Sequence, residues 1–150
     1  AEGRLVLADA LSYTVKNLKP SRIIDLATLT GAITVTFGDQ AAGMMGTDKG
    51  IMKGLFDAGE ATYERVWELP LYEEYSDDIK SEIADLNNVT PGYYAGSITA
   101  AAFLKKFVEE TPWVHLDIAG TAWYEKMRYY QPKNGTGFGV RLLIEYLKAH

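Results

Sequence analysis

The stretch "ITAAAFLKKFV", inside a helical pattern over residues 96–110, constrains the fold more than any other. Up to Leu104 it is apolar almost all round, so the helix it predicts has no face to give to water and belongs at the centre of the molecule. Around it the chain alternates helix and strand signals, the pattern of an α/β layer fold. Over residues 5–18, Leu7, Leu11, Val15 and Leu18 recur at three- and four-residue steps and predict one helical face, with Pro20 marking the exit. "RIIDLATLTG" is a short, mostly apolar run ending at Gly31 and suits a buried parallel strand. "AITVTFG" (32–38), rich in β-branched residues, predicts a second strand, and "AAGMMGT" a third whose glycines allow close packing. Asp48 is placed to cap a helix over residues 49–63. Pro70 breaks "RVWELPLYEEYSDDIK", and a short amphipathic helix follows. "SEIADLNN" reads as a short strand leading into the turn-rich loop "NNVTPGYYAG". "WVHLDIAG" (113–120) predicts another buried strand, "GTAWYEKMRYYQPKNGTGFG" a long loop, and residues 140–147 a last helix with Val140, Leu143, Ile144 and Leu147 on one face.

The expected architecture is therefore a mixed sheet sandwiched between helices in three layers. A chain of 150 residues makes it one domain, or part of one. Composition narrows the partners. The net charge is −5 with no basic block, so nucleic acid is not an expected partner. No apolar run approaches the roughly 20 residues of a membrane span. The start carries Glu2 and no basic region, unlike a signal peptide, and it lacks an initiator methionine, which suggests a fragment or a processed boundary. The absence of cysteine removes disulfides and thiolate metal sites and fits a reducing compartment.

Glu2 and Arg4 sit at the first turn of a predicted helix. Unpaired N–H groups, the positive end of the helix dipole and a guanidinium fork together suit a small planar anion, and a nearby carboxylate suits a metal. The plain alternative is a dipole-favouring glutamate beside a solvated arginine. His115 lies in an apolar strand pattern and reads as a buried, hydrogen-bonded histidine. Asp117, on the same strand face, reads as a structural hydrogen-bonding group, as do Asp25 and Asp85. "GTGFG" lacks the phosphate-binding patterns and reads as a helix entry packed under a pocket. The aromatic residues Tyr93, Tyr94, Trp123, Tyr124, Tyr129 and Tyr130 fall largely in loops and suit a subunit contact, a pocket rim or plain surface packing.

"AEGRLVLADAL" resembles the tail of the Asn-Thr-Asp-Ala-Glu-Gly-Arg-Leu signature of the leucyl aminopeptidase (cytosol aminopeptidase) family. "DLATLTGA" at 25–32, "RVWELPLYEEY" at 65–75, "AGSITAAAFLKKF" at 95–107, "HLDIAGTAW" at 115–123 and "GTGFGVRLL" at 135–143 resemble further blocks in the family's order. The resemblance implies that residues 1–150 are the C-terminal portion of the catalytic domain, cut inside the signature.

By that resemblance, Glu2 bridges two divalent metal ions (manganese or zinc, with magnesium a third candidate), and Arg4 holds a bicarbonate ion that acts as general base. Thr28, Leu29 and Gly31 match a substrate-binding segment whose leucine carbonyl contacts the substrate amine or the attacking water. Ala119 and Ala122 line the same apolar pocket. The implied protein is a cytoplasmic homohexamer that removes leucine and other apolar residues from the N-termini of peptides. The family's remaining ligands, a lysine and aspartates, match nothing in these residues, so the chain alone is expected to be inactive. The reading from another class is a non-catalytic oligomerisation or binding module that keeps the fold.

Overall fold

A four-stranded sheet carries helices on both faces in the computed structural model, which describes residues 1–90, 92, 94–131 and 133–149. Helix α1 (Glu2–Tyr13) passes into a π-helical turn, Thr14–Leu18, which Lys19 ends in the left-handed conformation at φ 47°. Strand β1 (Ile23–Ala27), helix α2 (Gly31–Phe37), strand β2 (Ala42–Gly46) and helix α3 (Lys49–Thr62) follow. Next come β3 (Val66–Glu68), the short α4 (Glu74–Asp77), α5 (Gly96–Lys105) and β4 (Trp113–Asp117). A small hairpin, β5 (Trp123–Tyr124) with β6 (Asn134–Gly135), precedes α6 (Val140–Ala149).

The strand order is β1-β4-β2-β3. β4 runs parallel to β1 and antiparallel to β2, while β2 and β3 are parallel. The sheet is thus mixed, and its central strand β4 is buried along its length. Alternation along β4 feeds two cores. Val114 and Leu116 pack with Ile51, Leu55, Leu142 and Tyr146 of α3 and α6. Trp113 points the other way, into a core with Ala8 and Leu11 of α1 and Ala101 and Leu104 of α5. The expected three-layer arrangement is the observed one. Helix α5 is buried from Ala100 to Leu104, touching α1, α2, α4, β2 and β4, as its all-round apolar sequence requires.

Three expectations are corrected. Residues 32–38 form α2 rather than a strand. Thr30 caps that helix, its Oγ1 accepting from Ile33 N at 3.2 Å. A strand would put Ile33 and Val35 on one face, but Ile33 is buried while Val35 is 90% exposed. The β-branched content biased the reading, and the cap together with packing outweighed it. Residues 81–88 form no strand either: Ser81 Oγ accepts from Ala84 N at 3.1 Å, closing a turn, and Ile83 is left 98% exposed. In α6 the face of Val140, Ile144 and Leu147 is largely exposed, and the neighbouring stripe of Leu142 and Tyr146 is the one buried. The Asp48 cap holds as expected, its Oδ1 accepting from Ile51 N at 2.8 Å.

Candidate functional site

β1 and β4 are parallel neighbours, with Ala27 in register with Asp117, so both chains leave the sheet at the same end. There the first turn of α1 meets the exit of β1. Glu2, Arg4, Thr28 and Leu29, with Ala27 and Val6, line an open cleft of about 530 Å³. Four of the residues singled out in the sequence thus share one cleft.

Asp117 lies beneath the residues that line this corner. It is fully buried, and its Oδ1 accepts from the backbone N–H groups of Leu29 (3.1 Å), Thr30 (3.4 Å) and Ala119 (3.3 Å). Its Oδ2 accepts from Thr30 Oγ1 at 2.6 Å. The one proton of Thr30 is spent on that carboxylate, so Ser97 Oγ, 2.8 Å away, donates to Thr30. A single carboxylate thereby joins the ends of β1 and β4, the start of α2 and, through Ser97, the start of α5. The structural reading of Asp117 holds, with a reach that extends to the cleft wall.

Arg4 is half-buried. Its Nη1 donates to the Asn88 carbonyl, and its Nε is buried without a hydrogen-bond partner. Burial pushes the Arg4 guanidinium below its ordinary value, and the charge of Asp117 pushes the other way. Asn88 donates its Nδ2 to the Ala1 carbonyl at 3.0 Å, which fixes the orientation of the amide and leaves Oδ1 buried without a partner. An unpaired donor and an unpaired acceptor therefore lie at the same corner.

Glu2 is exposed in the first turn of α1. Among the described residues no group of three or more His, Cys, Asp or Glu side chains could hold a metal ion. The donor set of the described residues therefore does not hold a metal centre by itself.

Gly31 opens α2 with free space around it, and Ala119 and Ala122 lie half-buried in the loop after β4. None of these three lines the cleft of Glu2 and Arg4; Ala119 is tied to its wall through Asp117. "GTGFG" packs against that loop: Thr136 N donates to the Ala122 carbonyl at 3.0 Å and Thr136 Oγ1 to the Thr121 carbonyl at 2.7 Å.

His115 is buried against Asp25, as a structural histidine should be. Asp85 is exposed in the turn region. Tyr124 is buried; Tyr94, Trp123, Tyr129 and Tyr130 are exposed. Tyr93, Pro91 and His150 lie outside the described residues. Tyr124, Tyr129 and Tyr130 help line a second cleft of about 590 Å³. Its three arginines are already matched: Arg65 with Glu60, Arg128 with Asp39 and Arg141 with Glu64.

Asn88 and the wide reach of Asp117 were not legible in the sequence, because their partners lie 84 and 87 to 88 residues away. The same-face spacing of His115 and Asp117 was the one available signal.

These features define a three-layer α/β protein with a cleft at the carboxyl ends of neighbouring parallel strands, the place where open α/β sheets take their ligands. Residues 1–144 match the catalytic domain of the cytosol aminopeptidase family, and the chain belongs to that family. It is 58% identical over 149 residues to the probable cytosol aminopeptidase of Geobacter sulfurreducens, covering 99% of this chain and 30% of the relative. It is 56% identical to that of Protochlamydia amoebophila over 149 residues (99% and 30%) and 56% identical to that of Cenarchaeum symbiosum over 152 residues (99% and 31%). The chain thus spans about 30% of the length of these relatives. No helix among the described residues is long and apolar enough to cross a membrane.

Proposed function

We propose that the full-length protein is a dinuclear metal aminopeptidase of the cytoplasm that removes N-terminal leucine and other apolar residues from peptides, working as a homohexamer. The observation that carries this reading is the meeting of Glu2, Arg4, Thr28 and Leu29 in one cleft, with Arg4 Nε buried and unpartnered. Bicarbonate fits that corner: its oxygens accept from Arg4, and its single O–H suits the unpaired Asn88 Oδ1. When bound, such an ion supplies general-base chemistry. Arg4 orients it and favours its anionic form.

Glu2 is the one metal ligand in this reading that the chain offers. Two divalent ions, manganese or zinc with magnesium as the third candidate, supply carbonyl polarisation and water activation when bound. One carboxylate does not hold two ions, so the remaining donors are assigned to parts of the protein outside these residues, and the 150-residue chain alone is expected to be inactive. In this reading Thr28 and Leu29 form the wall for the first side chain inside the cleft; Gly31, Ala119 and Ala122 lie outside the cleft lining, with Ala119 joined to that wall through Asp117, and the small Thr, Gly and Ala side chains leave room for leucine.

The test is hydrolysis of a leucine chromogenic amide by the full-length protein, with Mn²⁺ and with chelator. Glu2→Ala is expected to abolish turnover. Arg4→Ala is expected to slow it on the order of 10²-fold, the scale of a general-base contribution. A folded, metal-loaded protein that leaves several amino-acid amides intact would shift the reading to a non-catalytic assembly module.

A further inference from the structure

We propose that Asp117 is a positioning residue for substrate: through the peptide N–H groups of Leu29 and Thr30 it aims the Leu29 carbonyl at the N-terminal amine of the bound peptide. This role rests on the aminopeptidase reading.

The argument is geometric. In a trans peptide the C=O of one residue and the N–H of the next point in opposite directions. No peptide bond described here is cis. The Thr30 N–H points at the buried Asp117 Oδ1, so the Leu29 carbonyl in the same peptide points away from that carboxylate. The Leu29 N–H also points at Oδ1, which turns the Thr28 carbonyl outward in the same way. Thr28 and Leu29 are the residues of this loop that line the cleft with Glu2 and Arg4.

Charge adds to direction. Asp117 polarises the two peptide units that donate to it, and a polarised peptide is a better acceptor at its carbonyl end. An amine donor placed before the Leu29 carbonyl therefore gains twice, from aim and from polarisation. The same oxygen holds the Ala119 N–H at 3.3 Å, so the loop after β4 keeps its place relative to the Leu29 carbonyl. Thr30 Oγ1 locks the other carboxylate oxygen at 2.6 Å, which stops the Asp117 side chain from turning.

A purely structural Asp117 and a positioning Asp117 differ in what they do to the substrate amine. The experiment compares two inhibitors on the full-length, metal-loaded protein: leucine hydroxamate, and 4-methylpentanohydroxamate, which lacks only the amine. The ratio of their inhibition constants measures what the amine contributes. Asp117→Asn keeps the side-chain shape and an oxygen for the three N–H groups, and it removes the charge. We expect the ratio to fall on the order of tenfold in Asp117→Asn, the difference between a charge-assisted and an ordinary hydrogen bond. The inhibitor without the amine is expected to bind within about twofold of wild type, because the variant leaves its contacts in place. Thr30→Val, which frees Oδ2 and leaves the carboxylate in place, is expected to lower the ratio by a smaller factor; it carries the comparison if Asp117→Asn does not fold. A ratio that stays at its wild-type value, or equal weakening of both inhibitors, overturns the positioning role alone. A wild-type protein that binds neither inhibitor overturns the aminopeptidase reading and this role with it.

Discussion

Asp25 and His115 face each other across the β1–β4 pair, with His115 Nδ1 2.6 Å from Asp25 Oδ1. The other oxygen of the same carboxylate accepts from Trp113 Nε1 at 2.6 Å. Nδ1 carries the proton, because a carboxylate offers only acceptors. Replacing Asp25 by Ala leaves two donors without an acceptor beside the inner core, and each such loss costs about 1–3 kcal/mol. Asp25→Asn is expected to destabilise as well, because its NH₂ group is met only if His115 moves its proton from Nδ1 to the buried, unpartnered Nε2. Thermal melting of the full-length protein, read with the near-ultraviolet signal of Trp113, checks this. An Asp25→Asn protein that melts with wild type would refute it.

Glu64 is buried at the entry of α6. Its Oε2 accepts from Gly139 N at 3.0 Å and Leu142 N at 2.9 Å, and its Oε1 from Arg141 Nε at 3.1 Å. It thus caps a helix it does not belong to, placing a negative charge at the positive end of that helix. Glu64→Ala strands two backbone donors and is expected to cost about 3 kcal/mol. Glu64→Gln keeps one acceptor oxygen for the backbone and is expected to lose less. The order of the two melting temperatures is the measurement; Glu64→Gln melting below Glu64→Ala would overturn the cap.

The acid limb of stability has a local contributor at Asp39. Burial raises its carboxyl, but hydrogen bonds from Arg128 and Gln40 and the Arg128 charge outweigh that and hold it below its ordinary value. A carboxyl depressed in the folded state stabilises above its unfolded value, near about 3.9, and that contribution is lost as pH falls through the folded value. The Asp39–Arg128 pair, 2.8 Å apart, is over a third exposed on both sides, so the contribution is at most about 1 kcal/mol. The pair tethers the loop after β5 to the end of α2. Trp123 emission is therefore expected to shift as pH drops below the carboxylate range, and Asp39→Asn is expected to remove that step. An identical acid profile in the variant would show that the tether lies elsewhere.

The parts of this fold legible in the sequence are those set by local chemistry. Asp48 caps α3 from three residues away, and helix α5 announces its burial because no face of it is polar. The mostly apolar run "WVHLD" likewise marks β4 as a buried strand. Helix α2 was illegible for the opposite reason. Thr34, Val35 and Thr36 favour strands locally, whereas Ile33 is held by packing that comes from distant sequence. The same division runs through the cleft. Glu2 and Arg4 stand out only through the signature they complete, and their spacing is equally that of a solvated helix start. Asp117 acts on Leu29 and Thr30 across 87 to 88 residues, and Asn88 meets Arg4 across 84, so no local pattern records either pairing.

Gly120 gives the sharpest test of how rigidly the loop after β4 is seated. A Cβ there would collide with the Gly38 carbonyl at the exit of α2, and backbone atoms cannot step aside as a flexible side chain can. Gly38 itself turns the chain at φ 60°, a conformation that resists readjustment. Gly120→Ala must therefore push the loop that carries Ala119 and Ala122 away from α2. Ala119 is bound to Asp117, and Ala122 to Thr136, so the shift reaches both ends of the loop. If these alanines form the wall for the substrate side chain, a displacement near 1 Å costs about 10²-fold in kcat/KM. The loss is expected to be larger for leucine amides than for alanine amides, because the longer side chain reaches the displaced wall. Steady-state kinetics on the two amides, with melting temperatures alongside, decide it. Equal losses on both substrates would place Ala119 and Ala122 outside the specificity pocket, whatever the variant does to stability.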